Sequence, residues 1–247
     1  MTNENTQVKV KDIARDTRTS AFQKYRTLVY GDRSLATIIW AELLTLVTCS
    51  LPGALGLVLR KTFYPTLFNT IGRSVIFGRN MTLRHAHKIS LGNNIIFDDN
   101  CMIDAKGESN TGIIIEDDVY IGRNTIIYCK NGNIRICKGA NISANCEIFS
   151  SNDLVIGPGT VIGAYSYFLS GGEYDSQSNT PYAEQSGMET KGPLTIGENC
   201  WFGARVTVLD NASVGKNCVF GAGAVVNKAI PDNSIAVGVP AKVIKQS

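Results

Sequence analysis

Aliphatic and phenylalanine side chains recur every six residues from Ile71 onward, and they group in threes. The triplets are Ile71, Phe77, Leu83; Leu91, Phe97, Ile103; Ile115, Ile121, Ile127; Ile136, Ile142, Ile148; Ile156, Ile162, Phe168; Ile196, Phe202, Val208; and Val214, Phe220, Val226. A helix repeats at 3.6 residues and a strand at two, so neither produces a six-residue rule. One inward aliphatic per six residues suits a solenoid in which each short parallel strand is one flat side of a triangular coil. Seven triplets predict an all-β solenoid of about seven coils over 71–230, followed by a tail at 231–247.

The joins between triplets predict where the chain leaves this frame. Only Val208 to Val214 keeps the six-residue step; the others are 8, 12, 9, 8 and, from Phe168 to Ile196, 28 residues. All insertions therefore leave from one corner, and the longest is a loop at 169–193. Strand spacing of about 4.8 Å stacks these segments in a row along one edge. Polar chemistry accumulates there: Arg84-His85-Ala86-His87, Asp104-Ala105-Lys106, Tyr128-Cys129-Lys130-Asn131, Phe149-Ser150-Ser151-Asn152, Leu169 to Asp175, and Leu209-Asp210-Asn211. Function commonly resides on such loops over a rigid frame.

Before the repeats the pattern differs. Residues 1–34 are polar and mildly basic, with no early apolar core of a signal peptide. From Leu35 to Leu59 the only charge is Glu42, a stretch long enough for a bilayer but interrupted by Pro52-Gly53. Two short helices with a bend are expected. Arg26, Arg33, Arg60 and Lys61 flank the stretch at both ends, which favours a re-entrant or surface-lying hairpin over a span. Tyr30, Trp40, Phe63, Tyr64 and Phe68 suit a headgroup zone. The segment 35–70 is thus read as membrane-associating, with a buried cap or an oligomer interface as the alternative.

Composition narrows the chemistry. In 247 residues, 24 Lys+Arg face 21 Asp+Glu, so no broad positive field points to nucleic acid. Seven cysteines without a CxxC pair indicate neither a disulfide framework nor a zinc knuckle, and fit a reducing, cytoplasmic setting. Two histidines, His85 and His87, cannot build a three-imidazole zinc site, and no metal is expected.

Ile196-Gly197-Glu198-Asn199-Cys200-Trp201-Phe202-Gly203-Ala204, then Gly221-Ala222-Gly223-Ala224-Val225-Val226-Asn227-Lys228, Ile230-Pro231 and Gly238-Val239-Pro240-Ala241-Lys242 carry a resemblance. In order, they resemble the closing coils and tail of the left-handed β-helix, or hexapeptide-repeat, acyltransferases, which include sugar O-acetyltransferases. The resemblance implies a left-handed parallel β-helix, a homotrimer with sites between subunits, and acyl transfer from coenzyme A to a hydroxyl or amine. It implies no permanently bound cofactor; acetyl-CoA or another acyl-CoA is a co-substrate, and an acyl carrier protein presents the same pantetheine arm. Gly203, Ala204, Gly221 and Ala222 would leave a groove for that arm, since small residues permit close approach. Lys228 and Lys242 match phosphate contacts, and Trp201 matches an aromatic that can wall the acceptor pocket.

Relatives place a catalytic histidine in the loop corresponding to 169–175, which here reads Leu-Ser-Gly-Gly-Glu-Tyr-Asp. Either the base comes from elsewhere on the edge or transfer has been lost, leaving a scaffold or regulatory subunit. His85 and Asp104 should lie about one coil apart, close enough for a carboxylate to orient an imidazole. His87 and Glu173 or Asp175 are further base candidates, and Lys130, Asn131 and Tyr174 are acceptor-binding candidates. Together these readings give an acyltransferase acting on a glycan, glycolipid or lipid-linked acceptor, peripheral or monotopic at the cytoplasmic membrane face.

Overall fold

The computed structural model describes Ile13 and residues 15–246; the remainder of the expected basic segment 1–34 lies outside the described residues. From Thr70 the chain winds through three parallel sheets, adding one strand to each sheet in turn. The first coil uses Thr70–Ile71, Ile76–Phe77 and Thr82–Arg84, and the seventh uses Ser213–Val214, Val219–Phe220 and Val225–Val226. The structure departs from the expected tail beyond residue 230. Ser234–Val237 pairs in parallel with Val219–Phe220 as one side of an eighth coil, and Lys242–Gln246 then turns back antiparallel against it.

The periodic side chains fill the interior. Phe97, Ile121, Ile142, Ile162, Phe202 and Phe220 are at most 1% exposed, whereas Ile71 and Leu83 of coil one are only partly buried. Rings stack from coil to coil: Phe77 on Phe97 at 5.8 Å and Phe202 on Phe220 at 4.5 Å between centroids. One corner is turned by Asn80, Asn100, Asn124 and Asn145, all at positive φ, where asparagine is tolerated best after glycine. Their side-chain amides form a ladder with steps of 3.2, 3.1 and 3.0 Å.

Three helices close the N-terminal end: α1 (Ala21–Val29), α2 (Leu35–Thr48) and α3 (Gly53–Phe63). Ser20 and Ser34 cap the first two, and Pro52 marks the bend before the third. Ile38, Ala41, Leu44 and Thr48 of α2 are buried, and Leu44 joins Tyr64 and Phe68 in the solenoid core. Arg60 is 2% exposed and anchors the hairpin; its Nε donates to Phe77 O at 3.0 Å, and one terminal nitrogen donates to the Thr48 and Leu51 carbonyls, each at 2.9 Å.

The opposite face of α2 is exposed and apolar: Leu35, Ile39, Trp40, Leu43, Leu46 and Val47. Leu55 and Val58 of α3 extend the patch. Glu42 is exposed on this side too, and its carboxylate accepts from the Tyr25 and Tyr30 hydroxyls. No described helix is long and apolar enough to cross a membrane.

Candidate active site

The loop leaving coil five is built around one carboxylate. Gly171 and Gly172 take φ of 84° and 85°, turning the chain sharply out of strand Tyr167–Ser170. Asp210, 5% exposed, accepts from Gly171 N at 2.5 Å, Lys191 N at 2.5 Å and Thr190 Oγ1 at 3.1 Å, so it clasps both ends of the insertion. Glu173 pairs with Glu189 across the loop and forms a 2.6 Å ion pair with Lys191. The loop then lies down the edge: Lys130 Nζ donates to Ser186 O at 3.3 Å, and Asn131 Nδ2 lies 3.6 Å from Met188 Sδ. Tyr174 covers Gly187 and meets Tyr182 edge-on at 5.9 Å. The structure thus brings Lys130, Asn131, Glu173 and Tyr174 to one edge.

The loop has no room for a side chain at Gly172. A Cβ on Gly172 would lie 2.9 Å from Phe149 Cε1 and 3.3 Å from Leu169 Cδ1, and the φ there disfavours any side chain. Phe149 and Leu169 thus form an apolar plug against Gly172.

His85 and Asp104 do meet, in register on neighbouring strands, with Nδ1 3.0 Å from Oδ1 and both side chains 4% exposed. The other ring nitrogen, Nε2, faces Thr27 O at 3.2 Å. Both partners are oxygens, so the ring is engaged at both nitrogens and neither faces an open site. In this state the ring acts as a peg holding α1 to coil one; His85 N also donates to Val29 O at 2.8 Å. Glu173 is not part of that pair. The register Arg84, Asp104, Tyr128, Phe149, Leu169 separates the two places by four strand steps, roughly 19 Å at strand spacing.

His87 differs from its neighbour. It is half-buried, and burial together with Arg33, His85 and Lys88 holds its imidazole down at about 4, below the usual 6.5. The folded chain binds fewer protons there than the unfolded chain between those values, so stability present above pH 6.5 is lost as the pH falls towards 4. The urea midpoint should decline through that window in the wild type and less steeply in His87→Phe; equal slopes would remove His87 from the acid limb.

The donor candidates lie along the corner of coils six and seven. Ala204 and Ala222 are exposed in adjacent rungs, with Gly203 and Gly221 half-buried beside them. A Cβ on Gly203 would sit 2.7 Å from Ala222 N, so that glycine is needed by the stacking itself. Gly221 is covered by Val237 of the eighth rung, whose Cγ1 a Cβ would meet at 2.8 Å. Lys228 and Lys242 are exposed, and Trp201, 58% exposed, stands on the outer sheet face between Val161 and Val219. Asp210 and Phe149 carry more of the site than their sequence suggested. For Asp210 the available signal was a lone acid at the edge position after an inward valine.

A family model described as bacterial transferase hexapeptide (six repeats) matches residues 193–228. A Staphylococcus aureus protein named as an acetyltransferase is 34% identical over 115 residues, covering 46% of this chain and 55% of its own. One from Staphylococcus haemolyticus is 51% identical over 67 residues, 27% of this chain and 35% of its own. This chain thus spans about half the length of the first of these relatives. Among solved structures, a variant of AntD, an N-acyltransferase from Bacillus cereus in complex with dTDP and coenzyme A, superposes with a TM-score of 0.54 at 19% identity. The match covers 76% of this chain and 88% of that one, a likeness of fold. The six-residue repeat, the coils it builds and the match over its closing turns give this chain the hexapeptide-repeat β-solenoid fold, similar to that of acyltransferases built on the same coils.

Proposed function

We propose that this protein transfers an acyl group, acetyl in the first instance, from coenzyme A to a hydroxyl of a glycan, glycolipid or lipid-linked sugar at the cytoplasmic membrane face, working as a homotrimer. The observation that carries this reading is the exposed small-residue corner at Ala204 and Ala222, within the coils that match the transferase repeat. Backbone amides there can meet a pantetheine arm, and Lys228 and Lys242 suit its phosphates. Support for the donor comes from AntD, which binds coenzyme A on the same fold. A second AntD structure holds dTDP-4-amino-4,6-dideoxyglucose beside coenzyme A, which favours a sugar as acceptor class.

In this reading Trp201, Lys130, Asn131 and Tyr174 contact the acceptor, and Glu173 is the general base. It stands on the loop side, whereas His85 is buried four coils away with both nitrogens engaged. The acceptor oxygen attacks the thioester carbonyl while its proton passes to the Glu173 carboxylate. The tetrahedral intermediate then collapses with cleavage of the C–S bond, and the leaving thiolate takes that proton back.

The membrane face is supported by the apolar patch of α2 and α3 and by charge placement. Residues 15–68, which carry the patch, hold 7 Lys+Arg against 3 Asp+Glu, whereas residues 69–247 hold 15 against 16. Such a pairing suits an anionic surface.

The test is calorimetry with acetyl-CoA, followed by thiol release on membrane lipid and glycan extract. Binding with acceptor-dependent release is expected, falling about a hundredfold in Glu173→Gln. Equal turnover in that variant and loss in His85→Ala would return the role to the buried pair. A non-catalytic scaffold is favoured by one observation, the Phe149 and Leu169 plug at Gly172; absence of acetyl-CoA binding by the folded trimer would select it.

A further inference from the structure

The apolar patch has a direction. Ile38, Ala41, Leu44 and Thr48 of α2 are buried, and Leu44 joins Tyr64, Phe68 and Phe77 in the cluster that closes coil one. Leu35, Ile39, Leu43, Leu46 and Val47 stand on the opposite side of the same helix, so the patch points away from the coils. Arg60 fixes this placement, since its bonds tie α2, the bend and coil one together. The excess of cations over residues 15–68, 7 Lys+Arg against 3 Asp+Glu, makes an anionic bilayer the partner that complements the patch.

The reacting groups lie far from that end. Arg84 of coil one and Leu169 of coil five are separated by four strand steps, roughly 19 Å. The corner at Ala204 follows Trp201–Phe202 of the sixth coil, one step further on. Between coil one and a bilayer lies α2, about 10 Å across, with its apolar face sunk about 5–10 Å into the headgroup boundary. The loop and the donor corner therefore stand about 20 Å above that boundary. In a homotrimer with its axis along the coils, end-on docking is also the placement that brings three equivalent patches to one plane.

We infer that the solenoid is a spacer that selects its acceptor by height: a lipid-linked oligosaccharide, acylated on about the fourth ring from the lipid or beyond. This rests on the membrane-face transferase reading above and narrows it. A pyranose in an extended chain advances about as far as one coil, so four coils call for about four rings. A sugar joined directly to a lipid headgroup stays at the bilayer surface, below both Glu173 and the Ala204 corner. Lys130 and Asn131 follow the last strand of coil three, on the way from the cap to the loop, and can hold a ring in between.

The two tryptophans of the chain report the height, since Trp40 is on α2 and Trp201 on coil six. The full chain is bound to phosphatidylcholine vesicles carrying phosphatidylglycerol, with part of the phosphatidylcholine brominated in its acyl chains. Trp201→Phe, which retains Trp40, should lose emission to the bromine, whereas Trp40→Phe, which retains Trp201, should keep it. Equal quenching in both lays the solenoid flat and overturns the inference. The double variant Leu43→Glu, Leu46→Glu should no longer float with the vesicles at an unchanged unfolding midpoint, because both side chains are exposed. Failure of the wild type to float overturns the membrane reading and this inference with it, and concentration-dependent assembly beyond the trimer would then assign the patch to a second copy.

Transfer from isotopically labelled acetyl-CoA to membrane lipid and glycan extract locates the modified ring, by tandem mass spectrometry of the product. Label on a lipid-linked oligosaccharide, about three or more rings removed from the lipid, is the expected result. Label on a single-sugar glycolipid or on a soluble nucleotide sugar overturns the spacer and leaves acyl transfer standing. No label together with no binding of acetyl-CoA overturns the transferase reading itself.

Discussion

Asp210→Ala should leave the solenoid folded and free the loop. The carboxylate accepts two backbone N–H groups and one hydroxyl from the two ends of the insertion. Its removal strands three donors in a site that is 5% exposed, at about 1–3 kcal/mol for each group left unsatisfied. That sum exceeds what an exposed loop can hold locally, so the segment opens while the coils, whose core is elsewhere, stay intact. Limited trypsin digestion under native conditions should then cut at Lys191, with far-UV circular dichroism unchanged. Thiol release should fall by more than about a hundredfold, because Glu173 and Tyr174 lose their placement. Asp210→Asn, which keeps the shape but offers one acceptor oxygen, should fall between. Native resistance to trypsin in Asp210→Ala would refute the clasp.

Arg60→Met should cost about 3 kcal/mol or more in urea unfolding, at about 1–3 kcal/mol for each buried carbonyl left unsatisfied. The guanidinium satisfies carbonyls from three separate places: Thr48 in α2, Leu51 in the bend and Phe77 in coil one. Methionine fills the space but leaves all three orphaned in a site that is 2% exposed. Arg60→Lys should rescue little, since one ammonium cannot span the directions that a planar fork covers. Gly56→Ala offers an independent check with Arg60 retained. Its Cβ would lie 2.0 Å from Leu51 O and 2.9 Å from an Arg60 nitrogen, so it displaces the same contacts. Wild-type midpoints in both Arg60→Met and Gly56→Ala would show that the hairpin is held by its apolar face alone.

The solenoid was legible because each coil repeats one local rule, with Phe97, Ile121 and Ile142 inward and asparagine at the turns. The eighth rung was not, because Ala236 is the inward residue there and a small side chain does not announce an aliphatic position. Glu42 read as a charge inside an apolar stretch; the Tyr25 and Tyr30 hydroxyls that engage it come from α1 and its C-cap, a contact no periodicity encodes. The pairing of His85 with Asp104 could be read from coil spacing, since strand register fixes it. What occupies the far side of the ring could not, because the Thr27 carbonyl is a backbone atom 58 residues away. Likewise the missing histidine of the loop was legible, but only packing revealed Phe149 and Leu169 against Gly172.

The last strand has a consequence for how the molecule behaves in a crowded solution. Stacked parallel coils end in open rows of backbone donors and acceptors, and such edges recruit further strands, the route to fibrils. At one end α2 and α3 cover the core. At the other, Lys242–Gln246 runs antiparallel over the eighth rung, with all five of its side chains exposed and lysines at 242 and 245. A reversed, charged edge is a poor template for another copy, so this short strand is a terminator that keeps a protein built on amyloid-like stacking from growing end to end.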